Sequence, residues 1–503
     1  MRTTLCTAVL LLAGPAFAAA AAPDILLIMP DQMRGDCLSA VGHPVVRTPQ
    51  LGALAAQGML FRRAYSTVPS CIPARYALLT GRQPQSSGVV GFAQRPVATP
   101  TLPAVLREAG YATALVGRNM HQHAASGNLG YAKQVLASTY VADDDYDLEL
   151  KRLLPESGGI RNVVAALRLD YNRWPAAPWP YADELHPTAW IAQRSREAIA
   201  AAPAAQPLFL TASFYSPHPP LFPPRRLFEK HLAAKLPPPA MGQWVDRSRL
   251  RPEGDASGAR ILLQGDTLRR AQAGYFGLIE QIDEQLAGLL ADFRARSERA
   301  GRPWVIVVTS DHGEMLGDHG NFRKCEPYEG SGNIPLIIAA SPGLGLRAGA
   351  RSAQPVGLED IMPTLLELAG APRPAAVDGC SLASALRGSA APLRDWLHYE
   401  HAPCYSQAQA FHALVDGRSK YVWRPNDGRE QLFDLESDPR EERDLAPTER
   451  VLLEQWRRRL VERLAGRPEG FSDGRNLIPG RPYPPLQKTT EAAKRKNDSK
   501  ERT

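Results

Sequence analysis

Polar side chains follow four apolar, strand-like runs of the chain at the point where each run ends. They are Asp31 and Gln32 after the first run, Arg118 and His121 after the second, His218 after the third, and Asp311 and His312 after the fourth. In open α/β sheets, ligands bind just beyond the carboxyl ends of the strands. One Asp after a strand is commonly a cap or a turn residue. Four ends rich in carboxylate and imidazole predict a metal and an anion that share one site.

Four of these residues could bind a cation through three oxygen atoms and one nitrogen atom: Asp31, Gln32, Asp311 and His312. This set favours a hard divalent cation over zinc, because oxygen predominates and thiolate is absent. The single imidazole leaves the choice of metal open. Taken alone, the run Asp311-His312-Gly313-Glu314 is explained equally well as a capped turn.

Cys71 is the candidate nucleophile, because it lies at the start of a predicted short helix. Pro73 falls near the beginning of this helix and Gly81 marks its end. Free amide N–H groups at a helix N-terminus favour an anion there. Arg75, one turn further on, adds a fixed positive charge on the same face. An isolated cysteine is more often buried and inert, so the assignment depends on the surrounding motifs.

Strand-like runs alternate with helical patterns, which predicts an α/β fold with a large, mixed, mostly parallel sheet sandwiched by helices. The runs are 24–29, 111–116, 207–213, 304–309 and 334–340. Helices are predicted from Thr48-Pro49 to Gly58, from Pro103 to Gly110 and from Asp360 to Gly370. The segment 126–187 has no clean periodicity and is predicted to be a surface excursion near the mouth of the site.

The pattern changes after about residue 390, which predicts a smaller C-terminal α+β subdomain. Residues 412–423 and 430–435 are predicted antiparallel strands joined through a turn at Asn426-Asp427-Gly428. Residues 451–464 are predicted to form an amphipathic helix. The expected organisation is a signal peptide at 1–22, a catalytic domain at 23–389, the subdomain at 390–486 and a disordered charged tail at 487–503.

The charge of the chain gives no reason to expect a nucleic-acid partner. The formal net charge is +7 over 503 residues, and the tail alone holds six Lys or Arg against three Asp or Glu. The folded body is therefore only mildly basic. No stretch is long and apolar enough to predict a membrane span.

The first residues have the features of a signal peptide, which predicts a secreted or periplasmic protein. Arg2 supplies the positive charge, residues 5–12 the apolar core and Ala16-Phe17-Ala18 a small-residue cleavage site. Cys6 would leave with this peptide. An oxidising compartment permits disulfides among the other cysteines, but their pairing cannot be read from the sequence.

At these motifs the sequence closely resembles the sulfatases of the alkaline phosphatase superfamily. Cys71-Ile72-Pro73-Ala74-Arg75, completed by Leu79-Thr80-Gly81-Arg82, matches the signature Cys-x-Pro-x-Arg with its Thr-Gly ending. Further similar segments lie at 24–35, 214–220, 309–324 and 432–445. The resemblance covers nearly the whole mature chain. It implies an alkaline phosphatase-like fold and hydrolysis of sulfate monoesters. It also implies a formylglycine-generating enzyme that oxidises Cys71 during maturation.

The resemblance also implies roles for single residues. Asp31, Gln32, Asp311, His312 and the modified Cys71 would hold Ca²⁺, in preference to Mg²⁺ or Mn²⁺. Arg75 would orient the formylglycine. His121, His218 and Lys324 would contact the sulfate group: His218 or Lys324 would supply the leaving alcohol's proton, and His121 would take a proton in the second step.

Two departures from the family pattern keep alternatives open. Many members have a second Asp where Gln32 stands, which leaves room for a phosphonate or phosphate diester hydrolase of the same superfamily. The usual Lys-x-His is replaced by Arg118-Asn119-Met120-His121, so the roles of Arg118 and His123 stay open.

A non-catalytic binding protein is expected if Cys71 is never oxidised. The substrate would be a small-molecule or glycan sulfate ester, and the sequence carries no signal for the oligomeric state.

Overall fold

The computed structural model describes residues 21–121, 127–254 and 259–487 of the chain. Most of the predicted signal peptide, His123 and all of the predicted charged tail except Gln487 lie outside the described residues. An eight-stranded sheet, a four-stranded sheet and a short two-stranded ladder, with helices around them, account for the architecture of the described part.

The larger sheet has eight strands in the order β5-β4-β6-β1-β7-β8-β2-β9. In chain order these strands are β1 (Asp24–Asp31), β2 (Gly58–Phe61), β4 (Ala112–Gly117), β5 (Lys133–Leu136), β6 (Leu208–Pro217), β7 (Trp304–Thr309), β8 (Leu336–Ala340) and β9 (Ala350–Ser352). A separate short ladder pairs β3 (Ala64–Tyr65) with β10 (Val356–Gly357). Only the pairs that involve β8 are antiparallel within the larger sheet. The predicted mixed, mostly parallel sheet is therefore confirmed.

Helices cover both faces of the larger sheet. The longer ones are α1 (Pro49–Gln57), α2 (Cys71–Thr80), α4 (Leu102–Glu108), α5 (Asp145–Leu153), α6 (Ile160–Ala166), α7 (Pro187–Ala201), α8 (Arg225–Ala233), α9 (Gly265–Arg299) and α11 (Ile361–Ala369). Single-turn helices are α3 (Pro84–Ser87), α10 (Glu329–Gly332) and α12 (Ala383–Leu386).

The central strand β1 contributes to two separate hydrophobic clusters, one on each face of the sheet. Leu26 and Ile28 belong to the cluster that contains residues of α7 and α9. Ile25 and Leu27 belong to the cluster that contains residues of α2, α4 and α11. This division follows from the two-residue period of a strand, and burial on both faces explains why β1 is almost continuously apolar.

The C-terminal part forms the smaller sheet, as predicted. Its antiparallel strands are β11 (Leu397–His401), β12 (Phe411–Val415), β13 (Ser419–Trp423) and β14 (Glu430–Asp434), followed by the helix α13 (Arg450–Leu464). The prediction of one strand over 412–423 was wrong. Asp416 accepts backbone hydrogen bonds from Arg418 and Ser419, and Gly417 has a φ of 100°, so the chain turns there.

The prediction that 126–187 is a surface excursion was also wrong. The described residues of this segment include β5, α5 and α6. Tyr146, Ile160 and Trp179 are buried in the same core cluster as the central strands. The helices of this segment are only two turns long, so their periodicity is hard to recognise in the sequence.

Candidate active site

The carboxyl ends of three neighbouring strands deliver the polar residues to one edge of the larger sheet. β1 ends at Asp31, which pairs in register with Pro217 at the end of β6. β7 lies on the other side of β1 and leads through Ser310 into Asp311. Gln32 follows Asp31 with a φ of 66°, and its backbone N–H donates to Asp311 Oδ1 at 3.0 Å. The topology of the sheet therefore assembles this cluster.

The helix α2 places Cys71 beside the strand ends. Cys71 is the first residue of α2, and Gly81 ends the helix with a φ of 62°. Ser70, in an extended conformation before Cys71, has its Oγ 2.7 Å from His401 Nε2. Cys71 is only 2% exposed, so it is buried beside the strand ends.

Three groups lie close to the Cys71 sulfur. They are His312 Nε2 at 3.1 Å, Lys324 Nζ at 3.4 Å and Asp31 Oδ1 at 3.9 Å. Burial and the Asp31 carboxylate raise the pKa of the thiol, but Lys324, His312 and Arg118 together outweigh them and lower it. The surroundings of Cys71 thus favour negative charge on the atom at this position.

Four buried side chains form a group that could hold a metal ion: Asp31, Cys71, Asp311 and His312, whose ligand atoms lie within 4.8 Å of one another. His312 Nδ1 is 2.9 Å from the carbonyl oxygen of Gly313, which can only accept. Nδ1 is therefore the donor, and in the neutral ring Nε2 would carry the lone pair and face the sulfur. Two carboxylates and one oriented imidazole fit a divalent cation.

Two arginines hold the carboxylates of this group. Arg75 donates to Asp31 Oδ2 at 2.6 Å and to Asp311 Oδ2 at 2.9 Å. Arg118 NH1 lies 2.5 Å from the same Asp31 oxygen. Burial alone would raise the pKa of Asp31, but Arg118 and Arg75 hold it well below its usual range. Asp31 is therefore a carboxylate, with its Oδ1 directed towards Cys71 and His312.

Gln32 connects the cluster to a residue that the sequence analysis did not select. Its amide N–H donates to the Glu314 carboxylate, and its Oε1 accepts from Lys324 Nζ at 2.7 Å. The other Glu314 oxygen accepts backbone N–H groups of Leu316 and Arg323. Glu314 stands in the Asp-His-Gly-Glu run, which is the signal that could have identified it.

Lys324, which lies next to Cys71, also contacts His218. Lys324 Nζ is 3.0 Å from His218 Nε2, and His218 Nδ1 is 2.7 Å from the Pro219 carbonyl oxygen. His218 therefore donates through Nδ1 and accepts from the lysine through Nε2. Burial and Lys324 lower the pKa of His218 well below its ordinary value. The imidazole is neutral, and the lysine is the charged member of the pair.

Arg118 lies in the site, and His121 is connected to the site through it. Arg118 NH2 is 2.8 Å from His121 Nε2, which must accept because a guanidinium only donates. Burial and Arg118 lower the pKa of His121 well below its usual range. The Arg118 guanidinium also lies over the rings of Tyr215 and Tyr140, at 4.8 and 5.4 Å from the ring centroids. His123 lies outside the described residues.

The fold and this cluster define a hydrolase of the alkaline phosphatase-like class. The profile of the Sulfatase family matches residues 23–371, and the profile "N-sulphoglucosamine sulphohydrolase, C-terminal" matches residues 317–466. The chain therefore belongs to the sulfatase family and is a sulfuric ester hydrolase.

Individual relatives agree with this assignment. An arylsulfatase of Clostridium perfringens is 35% identical over 92% of this chain and 99% of its own length. A choline-sulfatase of Rhizobium meliloti is 31% identical over 86% of this chain and 84% of its own length. Among solved structures, the phosphonate monoester hydrolase of Agrobacterium radiobacter superposes with a TM-score of 0.72 at 25% identity, over 88% of this chain and 95% of that one.

Within the described residues, no helix has the length and apolar character needed to cross a membrane.

Proposed function

We propose that this enzyme hydrolyses sulfate monoesters by means of a formylglycine derived from Cys71 and a bound Ca²⁺. One observation carries the proposal: a buried cysteine at a helix N-terminus lies within 3.9 Å of a lysine, an imidazole and a carboxylate. Oxidised to formylglycine, residue 71 would supply a hydrated aldehyde whose hydroxyl group is the nucleophile.

The metal would be held by Asp31, Gln32, Asp311, His312 and the modified residue 71. When bound, Ca²⁺ would supply positive charge that lowers the pKa of a nearby hydroxyl and neutralises sulfate oxygens. Arg75 acts on this site as a positioning residue, because it bridges the Asp31 and Asp311 carboxylates. Gln32 Oε1 accepts from Lys324 Nζ, so the oxygen that would bind the metal also positions the lysine ammonium group.

The proton that the leaving alcohol needs comes from Lys324. The carbonyl of Pro219 and the lysine engage both nitrogens of neutral His218, so this imidazole has no proton to give on the lysine side. Lys324 is a charged donor 3.4 Å from the Cys71 sulfur. His121 is the candidate base for the second step, but its Nε2 lone pair accepts from Arg118, so it would take a proton only once that hydrogen bond opens.

The substrate is proposed to be a sulfate ester of an aryl alcohol or a carbohydrate. The names of the relatives support an aryl or another small-alcohol ester, and the profile over residues 317–466 supports a sugar. A formylglycine-generating enzyme would act on Cys71 before the enzyme is active.

Export, with removal of residues 1–22, completes the proposal. N-terminal sequencing of the mature protein would test this last point.

Mass spectrometry of the tryptic peptide 64–75 tests the modification directly. We expect an aldehyde at position 71 in protein made together with a formylglycine-generating enzyme, and sulfate release that Cys71→Ala abolishes. An unmodified thiol in fully active enzyme would contradict the proposal.

Chelation tests the metal independently. Treatment with a strong calcium chelator should remove the activity, and Ca²⁺ should restore it better than Mg²⁺ or Mn²⁺, since Ca²⁺ accepts several oxygen ligands without the strict octahedral geometry that Mg²⁺ demands. Full activity without any divalent ion would exclude this part of the proposal.

A phosphonate or phosphate diester is the second candidate substrate class. It is favoured by the structural similarity to the phosphonate monoester hydrolase of Agrobacterium radiobacter. Paired kcat/KM measurements on a sulfate monoester and a phosphonate monoester with the same aryl leaving group distinguish the two. We expect the sulfate ester to be hydrolysed faster.

A further inference from the structure

Two thiols lie beside Lys324, where the larger sheet meets the C-terminal sheet. Cys325 directly follows Lys324 and is buried, whereas Cys404 follows β11 and is half-buried. Their sulfur atoms and a ring nitrogen of His401 all lie within 4.8 Å of one another. This group is separate from the Cys71 cluster.

The other described cysteines make contacts of a different kind. Cys37 donates to Asp36 Oδ1 at 3.4 Å, Cys71 lies in the active site, and Cys380 contacts Arg394. The thiol-to-thiol contact therefore singles out Cys325 and Cys404 as a pair.

Contacts that do not involve the sulfurs hold both chain segments in place. The Cys325 backbone N–H donates to the Pro69 carbonyl at 2.9 Å, and Glu326 pairs with Arg424 of the C-terminal part at 2.9 Å. On the facing side, the Tyr405 ring stacks against the Arg323 guanidinium at 4.6 Å. The two cysteines are thus presented to each other by the fold itself.

The surroundings of His401 favour a bond between the two sulfurs over a shared metal ion. His401 Nδ1 contacts the Ala402 carbonyl, and Nε2 is 2.7 Å from Ser70 Oγ. Both ring nitrogens are engaged, so a cation bound by His401 would have to break one of these hydrogen bonds. The two thiols need no such rearrangement.

We propose that Cys325 and Cys404 form a disulfide that ties the C-terminal subdomain to the segment that carries Lys324. Both S–H bonds break and one S–S bond forms, while a small-molecule disulfide such as oxidised glutathione takes the two electrons and leaves as two thiols. Half-buried Cys404 reacts first and gives a mixed disulfide. Cys325 then attacks the Cys404 sulfur and releases the second thiol.

The required movement is small. An S–S bond is about 2.05 Å long, so the sulfurs need to approach by no more than about 2.8 Å. The hydrogen bond with Cys325 lowers the pKa of Cys404, in line with its role as the first nucleophile. The bond would close a loop of about 80 residues that includes β8 to β11.

Peptide mapping of the full-length protein tests this bond without any use of sulfatase activity, so its outcome is independent of the proposed function. The protein is incubated with oxidised glutathione, denatured without reductant, alkylated and digested with trypsin. We expect peptide 325–347 linked to peptide 395–418, at the summed mass minus two hydrogens. The Cys404→Ser variant should lack this species, and the matched control Cys380→Ser should retain it.

Thermal unfolding provides the second measurement. Dithiothreitol should lower the Tm of the oxidised wild type and of Cys380→Ser by roughly 3–4 °C, but leave that of Cys404→Ser unchanged. Alkylation of both Cys325 and Cys404 after oxidation would overturn the proposal. Retention of one equivalent of added Zn²⁺ by the wild type, lost in Cys404→Ser, would overturn it in favour of a metal site.

Discussion

Gln32 lies between two groups of opposite charge, and its uncharged carboxamide satisfies both. Its N–H donates to the Glu314 carboxylate, and its oxygen accepts from Lys324. An aspartate could accept from the lysine, but it would bring a second carboxylate against Glu314, whose pKa is already raised by burial. The amide at position 32 is therefore matched to Glu314.

Exchanging the amide and the carboxylate between positions 32 and 314 tests this contact. Gln32→Asp alone should lower the free energy of unfolding by about 1–3 kcal/mol, because two buried carboxylates meet. Adding Glu314→Gln should recover most of this loss, since the glutamine oxygen can still accept from Leu316 and Arg323 while its N–H₂ donates to the aspartate. Urea unfolding of the two single variants and the double variant measures the coupling. Strictly additive effects would contradict the pairing.

At the level of residues, the sequence predicted the members of the cluster but not how they contact one another. Asp31, Asp311 and His312 follow strands, and the parallel order of those strands brings them together. Arg118 was left open, because one extra residue separates it from His121 compared with the family pattern. Its contact with Asp31 depends on the conformation after β4, which no local motif encodes.

Among the secondary-structure elements, α7 begins at a histidine that acts as a helix cap. His186 Nδ1 accepts the Thr188 backbone N–H at 3.0 Å, and the ring is fully buried against Trp179 and Phe222. Burial lowers the pKa of His186 to about 3. The capping nitrogen must be unprotonated, so the start of α7 depends on a neutral imidazole.

This cap makes part of the stability depend on pH. The unfolded chain protonates His186 near its ordinary pKa of about 6.5, whereas the folded chain does so only near about 3. The stabilisation is present above the unfolded pKa and is lost as the pH falls towards the folded one. His186→Asn keeps a capping oxygen but does not titrate.

Between pH 7 and pH 5, the free energy of unfolding of the wild type should therefore fall by roughly 2 kcal/mol more than that of His186→Asn. Guanidinium unfolding at both pH values measures this difference. Thr101→Ser, a change at the cap of α4, is the control. Its free energy of unfolding should change between the two pH values by as much as that of the wild type. An equal change for the wild type and His186→Asn would show that protonation of the His186 imidazole does not destabilise the fold.

The elements that the sequence missed have tertiary causes. The long helix α9 buries Gln272, Glu280 and Asp283 together with its apolar residues, which obscures its amphipathic pattern. Its two buried carboxylates, Glu280 and Asp283, have partners far away in the chain. Asp283 accepts the first amides of α1, at Gln50 and Leu51, so α1 is capped from another helix. Such a contact cannot be read from the residues around Thr48.

For the whole molecule, the C-terminal sheet fixes the segment that follows Lys324. Lys420 of β13 is completely buried, forms ion pairs with Glu329 at 2.7 Å and Glu441 at 2.8 Å, and donates to the Pro327 carbonyl at 3.0 Å. Residues 325–329 therefore lie between the candidate active site and this sheet. The orientation of the lysine in the site depends on packing between the two parts of the chain.

Removal of the Lys420 charge should destabilise the protein strongly, because buried Glu441 would lose its cation and Glu329 would keep only Arg63, which lies 3.1 Å away. We expect Lys420→Met to lower the free energy of unfolding by about 3–5 kcal/mol. Arg418→Met is the matched control on the same sheet, because the Arg418 side chain is 70% exposed and its pair with Asp434 spans 3.7 Å. The control should change stability by less than about 1 kcal/mol. Guanidinium unfolding followed by tryptophan fluorescence measures both variants. Equal free energies of unfolding for Lys420→Met and Arg418→Met would mean that the contacts of Lys420 do not hold the two parts of the chain together.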